Sequence, residues 1–126
     1  MHKFLVVDDS RTLRTIVCRS LHQRGFATLQ AENGQVALDI CVKTMPDAIV
    51  LDWNMPVMDG VAFLKALRML PNGNDPKVIF CTSESDMDRI ATAIEAGADE
   101  YIMKPFDDEI LNTKLDMIGF AVSEAA

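Results

Sequence analysis

Two hydrophobic rhythms alternate along the chain. Short, continuously apolar runs at Phe4-Leu-Val-Val7, Ala48-Ile-Val-Leu51 and Val78-Ile-Phe-Cys81 read as strands covered on both faces. Phe26 to Ala31 reads as a weaker strand towards a sheet edge, and Tyr101-Ile-Met103 as a fifth strand. Between the strands, apolar residues recur three and four apart, the spacing of a helix face. Leu13, Ile16, Val17 and Leu21 mark the first helix, which Asp9 or Ser10 can cap and Gly25 ends. Asn33-Gly34 opens a second, with Val36, Ala37, Ile40 and Cys41 inward, stopped before Pro46. Asp59 caps a third that carries Phe63, Leu64, Leu67 and Leu70, closed by the loop Pro71-Asn-Gly-Asn-Asp-Pro76. Met87, Ile90, Ala91 and Ile94 predict a short fourth helix ending at Gly97, and residues 110–122 a fifth with Leu111, Leu115 and Ile118 inward. Strict alternation of five strands with five helices predicts parallel βα units, an α/β fold with helices on both faces of the sheet.

Composition narrows what such a fold can do. The chain has 126 residues, 49% apolar and 25% charged, enough for one core and one domain over residues 1–122, with a short tail at 123–126 and no output domain. Its formal net charge of −7 argues against nucleic acid or an anionic membrane as partner. Cys18, Cys41 and Cys81 are odd in number, far apart and each within an apolar run, so they read as buried thiols of a reduced compartment. No run approaches the ~20 apolar residues of a membrane span. The expectation is a cytoplasmic monomer.

In an open parallel sheet, ligands bind at the carboxyl ends of the strands. Those ends carry Asp8-Asp9 after the first strand, Asp52 after the third, Thr82-Ser83 after the fourth and Lys104-Pro105 after the fifth. Taken singly, each is an ordinary cap or turn residue. Together, at four of five strand ends, they make a site. Two carboxylates ~4 Å apart repel by about 4 kcal/mol at an effective dielectric near 20, so three of them need cations or protons. Lys104 and one divalent cation balance the three charges, and oxygen-only donors with room for water suit Mg²⁺. A carboxylate so neutralised can receive a phosphoryl group.

Val7-Asp8-Asp9-Ser10, Leu51-Asp52-Trp53-Asn54-Met55-Pro56-Val57-Met58-Asp59-Gly60, Thr82-Ser83-Glu84 and Tyr101-Ile-Met-Lys104-Pro105-Phe106 resemble, in order and across nearly the whole chain, the receiver domain of bacterial response regulators. The stand-alone, chemotaxis-type (CheY-type) members are the most similar. The resemblance implies the doubly wound, flavodoxin-like (βα)5 fold with strand order 2-1-3-4-5. It implies Asp52 as phosphoacceptor from a sensor histidine kinase or phosphotransferase. Asp9, Asp52 and the main-chain carbonyl of Asn54 would ligate Mg²⁺, with Asp8 acting through water. Lys104, Thr82 and Ser83 would face the phosphoryl group, Lys104-Pro105 would be a cis peptide, and Tyr101 would be an aromatic switch. Asn54 and Glu84 would tune the lifetime of the acyl phosphate. Ile90, Tyr101 and Lys114 would lie on the partner face, whose target in chemotaxis would be a flagellar motor switch.

Two other chemistries use similar residues. A haloacid-dehalogenase-type phosphatase needs a second aspartate two residues after its nucleophile, and here that position is Asn54. A flavodoxin needs a Ser/Thr/Gly-rich phosphate loop after the first strand, which is missing. The chain therefore reads as a signalling protein with self-phosphorylation and autodephosphorylation chemistry, not a turnover enzyme. The open alternative within that reading is a phosphorelay intermediate or phosphate sink.

Overall fold

The computed structural model describes residues 2–83 and 87–120, the side chain of Met87 excepted. Strand and helix alternate as β1 (Lys3–Val7), α1 (Arg11–Gln23), β2 (Ala27–Ala31), α2 (Gly34–Lys43), β3 (Ala48–Asp52), α3 (Gly60–Arg68), β4 (Lys77–Thr82), α4 (Met87–Ala96), β5 (Glu100–Met103) and α5 (Asp108–Met117). All neighbouring strands are parallel, in the order β2-β1-β3-β4-β5. This is the doubly wound order that the resemblance implies.

Period two along the strands divides the core between the faces. Leu5, Val7, Ile49, Leu51, Val78 and Phe80 pack under α2, α3 and α4 with Phe63, Leu64 and Leu67. Phe4, Val6, Val50, Ile79 and Cys81 pack under α1 and α5 with Leu21, Leu111 and Leu115. Every residue of β3 is buried, as its unbroken apolar run requires. Ser10, Asn33, Asp59 and Asp107 cap α1, α2, α3 and α5, each side chain accepting from a backbone N–H three residues on.

Four sequence expectations shift. The last helix starts at Asp108, two residues before Ile110, because Asp107 caps it, and it closes at Met117 with Ile118 as its cap. Val122 and the tail at 123–126 lie outside the described residues. On α1, Ile16 is 53% exposed and Leu13 37%, while Cys18 and Ser20 are buried. The inward stripe thus rotates towards Val17, Cys18 and Leu21. On that side Ser20 and Arg24 bond Asp108 and Asn112 of α5 across the seam. On α4 the buried residue is Ala93, with Ala91 and Ile94 exposed. A small residue there lets the helix approach α3. The Met87 side chain, expected inward, lies outside the description.

Two close backbone approaches fix the loops that carry the site. The N–H of Gly34 donates to the Met58 carbonyl at 3.0 Å, tying α2 to the loop after β3. Within that loop Met58 N–H bonds the Pro56 carbonyl at 2.7 Å around Val57, whose φ is +69°. A β-branched residue held there is strained. At Gly60, a Cβ would lie 2.3 Å from the Asp52 carbonyl oxygen, so α3 can begin against the site strand only without a side chain. Gly60→Ala is expected to lower stability by about 1–3 kcal/mol, the usual cost of overpacking against rigid backbone. Urea unfolding followed by far-UV circular dichroism checks this, and a loss below 0.5 kcal/mol would show that the loop gives way freely.

Candidate functional site

The doubly wound order leaves a crevice between the carboxyl ends of β1 and β3, where the chain turns to opposite sides of the sheet. Asp8 directly follows β1 and Asp52 is the last residue of β3. They are 6% and 8% exposed, against an exposed Asp9. One carboxylate oxygen from each of Asp8, Asp9 and Asp52 falls within 4.8 Å of the other two. The sequence expectation that these three meet is therefore met in space.

Lys104 holds the buried pair together. Its ammonium donates to Asp8 Oδ2 at 2.7 Å and to Asp52 Oδ1 at 3.1 Å. It can do so because its own N–H bonds the Thr82 carbonyl at 2.7 Å, carrying the β4–β5 ladder one rung past the end of β5. Lys104-Pro105 is a cis peptide, as the resemblance implies. The other oxygen of Asp8 accepts from the Ser10 N–H at 2.8 Å, and Arg14 Nη1 donates to the Asp8 carbonyl at 2.6 Å. Asp8 is thus fixed on three sides, while Asp9 faces solvent.

The charges are unequal in their settings. Burial, then the Asp8 charge, pushes the Asp52 carboxyl above its ordinary value, and the hydrogen bond and charge of Lys104 pull part of the way back. Burial acts to lower the Lys104 pKa, but its bonds to Asp8 and Asp52 outweigh it and the ammonium is held more firmly than usual. Beneath the site, burial pushes the Cys81 thiol up to about 12, so it is an inert spacer. Asp52 emerges as a buried, underneutralised carboxylate, the group in the cluster with most to gain from a further cation. The all-oxygen donor set fits Mg²⁺.

Other expected residues lie around this centre. Thr82 ends β4 and is 3% exposed. Ser83 lines a cavity of about 490 Å³ between α1 and the turn after β5, apolar along Leu13, Ile16 and Phe106, with Asp8 and Lys104 also in its wall. Tyr101 is half-buried and lies under the Lys114 ammonium, 4.5 Å from its ring centre. Lys114 also bonds Glu100 at 3.1 Å, so it joins β5 to α5. Ile90 is half-buried on α4. Glu84 lies outside the described residues.

One neighbour of the site was not foreseen. Arg89 of α4 sets its guanidinium 4.5 Å over the Trp53 ring and reaches Asn54 Oδ1 with Nη2 at 3.5 Å. Trp53 in turn stands edge-on to Phe80 at 5.1 Å. A lone arginine in a helical stretch carries no sequence signal for a contact 35 residues away.

Comparison with known proteins agrees with this geometry. The response regulator receiver domain matches residues 4–116. A chemotaxis protein CheY homolog of Campylobacter jejuni is 38% identical over 98% of both chains. Chemotaxis protein CheY-3 of Vibrio cholerae is 40% identical over 92% of this chain and 90% of its own. The solved chemotaxis response regulator CheY4 of Vibrio cholerae superposes with a TM-score of 0.89 at 34% identity, covering 94% of this chain and 98% of the other. An acidic crevice bridged by lysine on a 2-1-3-4-5 sheet, and a match running nearly end to end, lead to one statement: the chain belongs to the response regulator receiver family.

Proposed function

We propose that this protein is a CheY-type response regulator that accepts a phosphoryl group on Asp52 from a histidine kinase or phosphotransferase and signals by binding a protein partner. The observation that carries the reading is the buried Asp52 carboxylate, sharing Lys104 with Asp8 and lying within reach of Asp9. Asp8, Asp9, Asp52 and the Asn54 carbonyl would hold Mg²⁺, which would supply positive charge beside the carboxylates. An Asp52 oxygen then attacks phosphorus, the P–N bond of the phosphohistidine breaks, and the electron pair leaves on the imidazole. Lys104 can swing from its two carboxylates to a phosphoryl oxygen with little travel, since it already touches Asp52.

Signalling follows from what the added phosphoryl group prefers to touch. It can shift the protein only through contacts made better in one state than another. Thr82 and Ser83, at the end of β4, are the hydroxyls placed to supply them. Tyr101 and Lys114 stand on the adjoining strand and helix, and with Ile90 they form the face assigned to the partner. The names of the relatives support chemotaxis as the setting; within that setting the proposed target is a flagellar motor switch and the proposed donor a CheA-like kinase.

Trp53, the only tryptophan, follows Asp52 and reports on the site directly. Its fluorescence is expected to change on titration with Mg²⁺ and again with beryllofluoride, and both changes should vanish in Asp52→Asn. Silence in the wild type would sink the phosphoacceptor reading.

Asp52→Asn should also raise the thermal midpoint of the metal-free protein by about 2–6 °C at neutral pH. The sign follows from the raised carboxyl pKa: the folded state holds the Asp52 proton more tightly than the unfolded chain. This group's contribution to stability therefore grows as pH falls through the raised value, and is at its least favourable at neutral pH. Mg²⁺ at about 100 times its Kd should stabilise the wild type by ~2.7 kcal/mol and the variant far less. Calorimetry at neutral and mildly acidic pH, with and without Mg²⁺, checks both statements. Thr82→Ala is expected to take up phosphoryl groups at a near-normal rate yet bind its partner at least fivefold more weakly once charged. Equal affinity of the two charged proteins for that partner would refute the switch role.

A further inference from the structure

The contact between Arg89 and Asn54 bears on how long a phosphoryl group would stay on Asp52. Arg89 is half-buried on α4, with its guanidinium over Trp53 and its Nη2 at 3.5 Å from the Asn54 side-chain oxygen. Asn54 lies two residues beyond Asp52, in the loop tied down by the Gly34–Met58 hydrogen bond. The Trp53 ring is held on its other side by Phe80. The backbone here has little freedom, and among the described residues the partner of the Asn54 amide oxygen is Arg89.

The chemistry of an amide makes this direction matter. Asn54 offers one acceptor oxygen and two N–H donors. With the oxygen turned to a guanidinium, one of its two lone pairs is spent on α4, and the two N–H donors are left to turn towards the site. Hydrolysis of an acyl phosphate on Asp52 requires a water oxygen to bond phosphorus while the P–O bond to Asp52 breaks. The carboxylate is restored and both water protons leave with the phosphate. An attacking water is aligned by an acceptor for one of its protons. An Asn54 oxygen engaged by Arg89 is withdrawn from that task.

We propose that Arg89 is a positioning residue that lengthens the lifetime of phosphorylated Asp52 by keeping the Asn54 side-chain oxygen away from the attacking water. The inference rests on the phosphoacceptor reading of Asp52. The cation over Trp53 keeps α4 and the loop after β3 together, so the effect belongs to the folded, metal-loaded protein and needs no partner.

The test uses the full chain, charged with acetyl phosphate and Mg²⁺, freed of donor, and followed by release of inorganic phosphate. That readout does not depend on Trp53, whose surroundings the substitutions alter. Arg89→Met should release phosphate roughly two- to tenfold faster than wild type, the span of one hydrogen bond of ordinary worth. In an Asn54→Ala background the same substitution should have no effect, because the oxygen it frees is gone. Arg89→Lys, which keeps a cation over the ring and so guards the fold, should fall between wild type and Arg89→Met. An unchanged or slower rate in Arg89→Met overturns the proposal, as does an equal acceleration in the Asn54→Ala background. A wild type that takes up no more phosphoryl group than Asp52→Asn is a separate outcome, which overturns the phosphoacceptor reading and this inference with it.

Discussion

Lys104 is the interaction on which the arrangement depends. Two carboxylates, each more than nine-tenths buried, would not stay ionised side by side at the end of a parallel sheet without a cation between them. The ammonium bonds both, and its place is set by a single backbone hydrogen bond to the Thr82 carbonyl. The rung that fixes Lys104 is thus made by Thr82. Neutralisation of the acidic pair and the end of β4 are one mechanical unit.

That unit explains why the site is both stable and unfinished. One ammonium offsets only part of three carboxylates, and the Asp52 pKa records the remainder as an upward push from burial and from Asp8. A fold stabilised on its own account would replace Asp52 with a neutral group. Retaining a carboxylate there costs stability, and the cost is recovered when a cation arrives. The strained turn at Val57, next to the same crevice, fits this picture of stability given up near chemistry.

The fold was readable because its signals are local or periodic. Apolar runs located β1, β3 and β4, and Ser10, Asn33 and Asp59 announced three helix starts. The acidic site was readable because topology places strand ends together, which turns residues 8, 52 and 104 from distant neighbours into one cluster. What could not be read is set by contacts without periodicity. On α1, Ser20 and Arg24 meet Asp108 and Asn112 across a polar seam while Leu13 and Ile16 line a cavity. Arg68 is a similar case: it gathers the carbonyls of Gly73, Pro76 and Gly97 and the Asp99 carboxylate, joining α3 to the flanks of β4, and nothing in its neighbourhood in sequence marks it.

The same hydrogen-bond pattern limits how the proposed signal would travel from Asp52 to the α4–β5–α5 face. β4 pairs with β5 from Ile79 to Thr82, and the Lys104 rung extends that pairing past the last strand residue. The backbone of Thr82 is therefore pinned, and the sheet is a poor candidate for the moving part. Among the described residues, what lies outside that ladder is side chains: those of Thr82, Tyr101, Lys114 and Arg89. Tyr101 has its ring under Lys114, and Arg89 has its guanidinium on Trp53. Cation–ring contacts of this kind are worth about 0.5–1 kcal/mol where solvent reaches them. Contacts of that strength can exchange under the charge that the proposed phosphorylation of Asp52 would add. A sheet pinned at its charged rim, flanked by cation–ring contacts on α4 and α5, is a frame on which the proposed phosphorylation of Asp52 would act through side chains and not through the ladder.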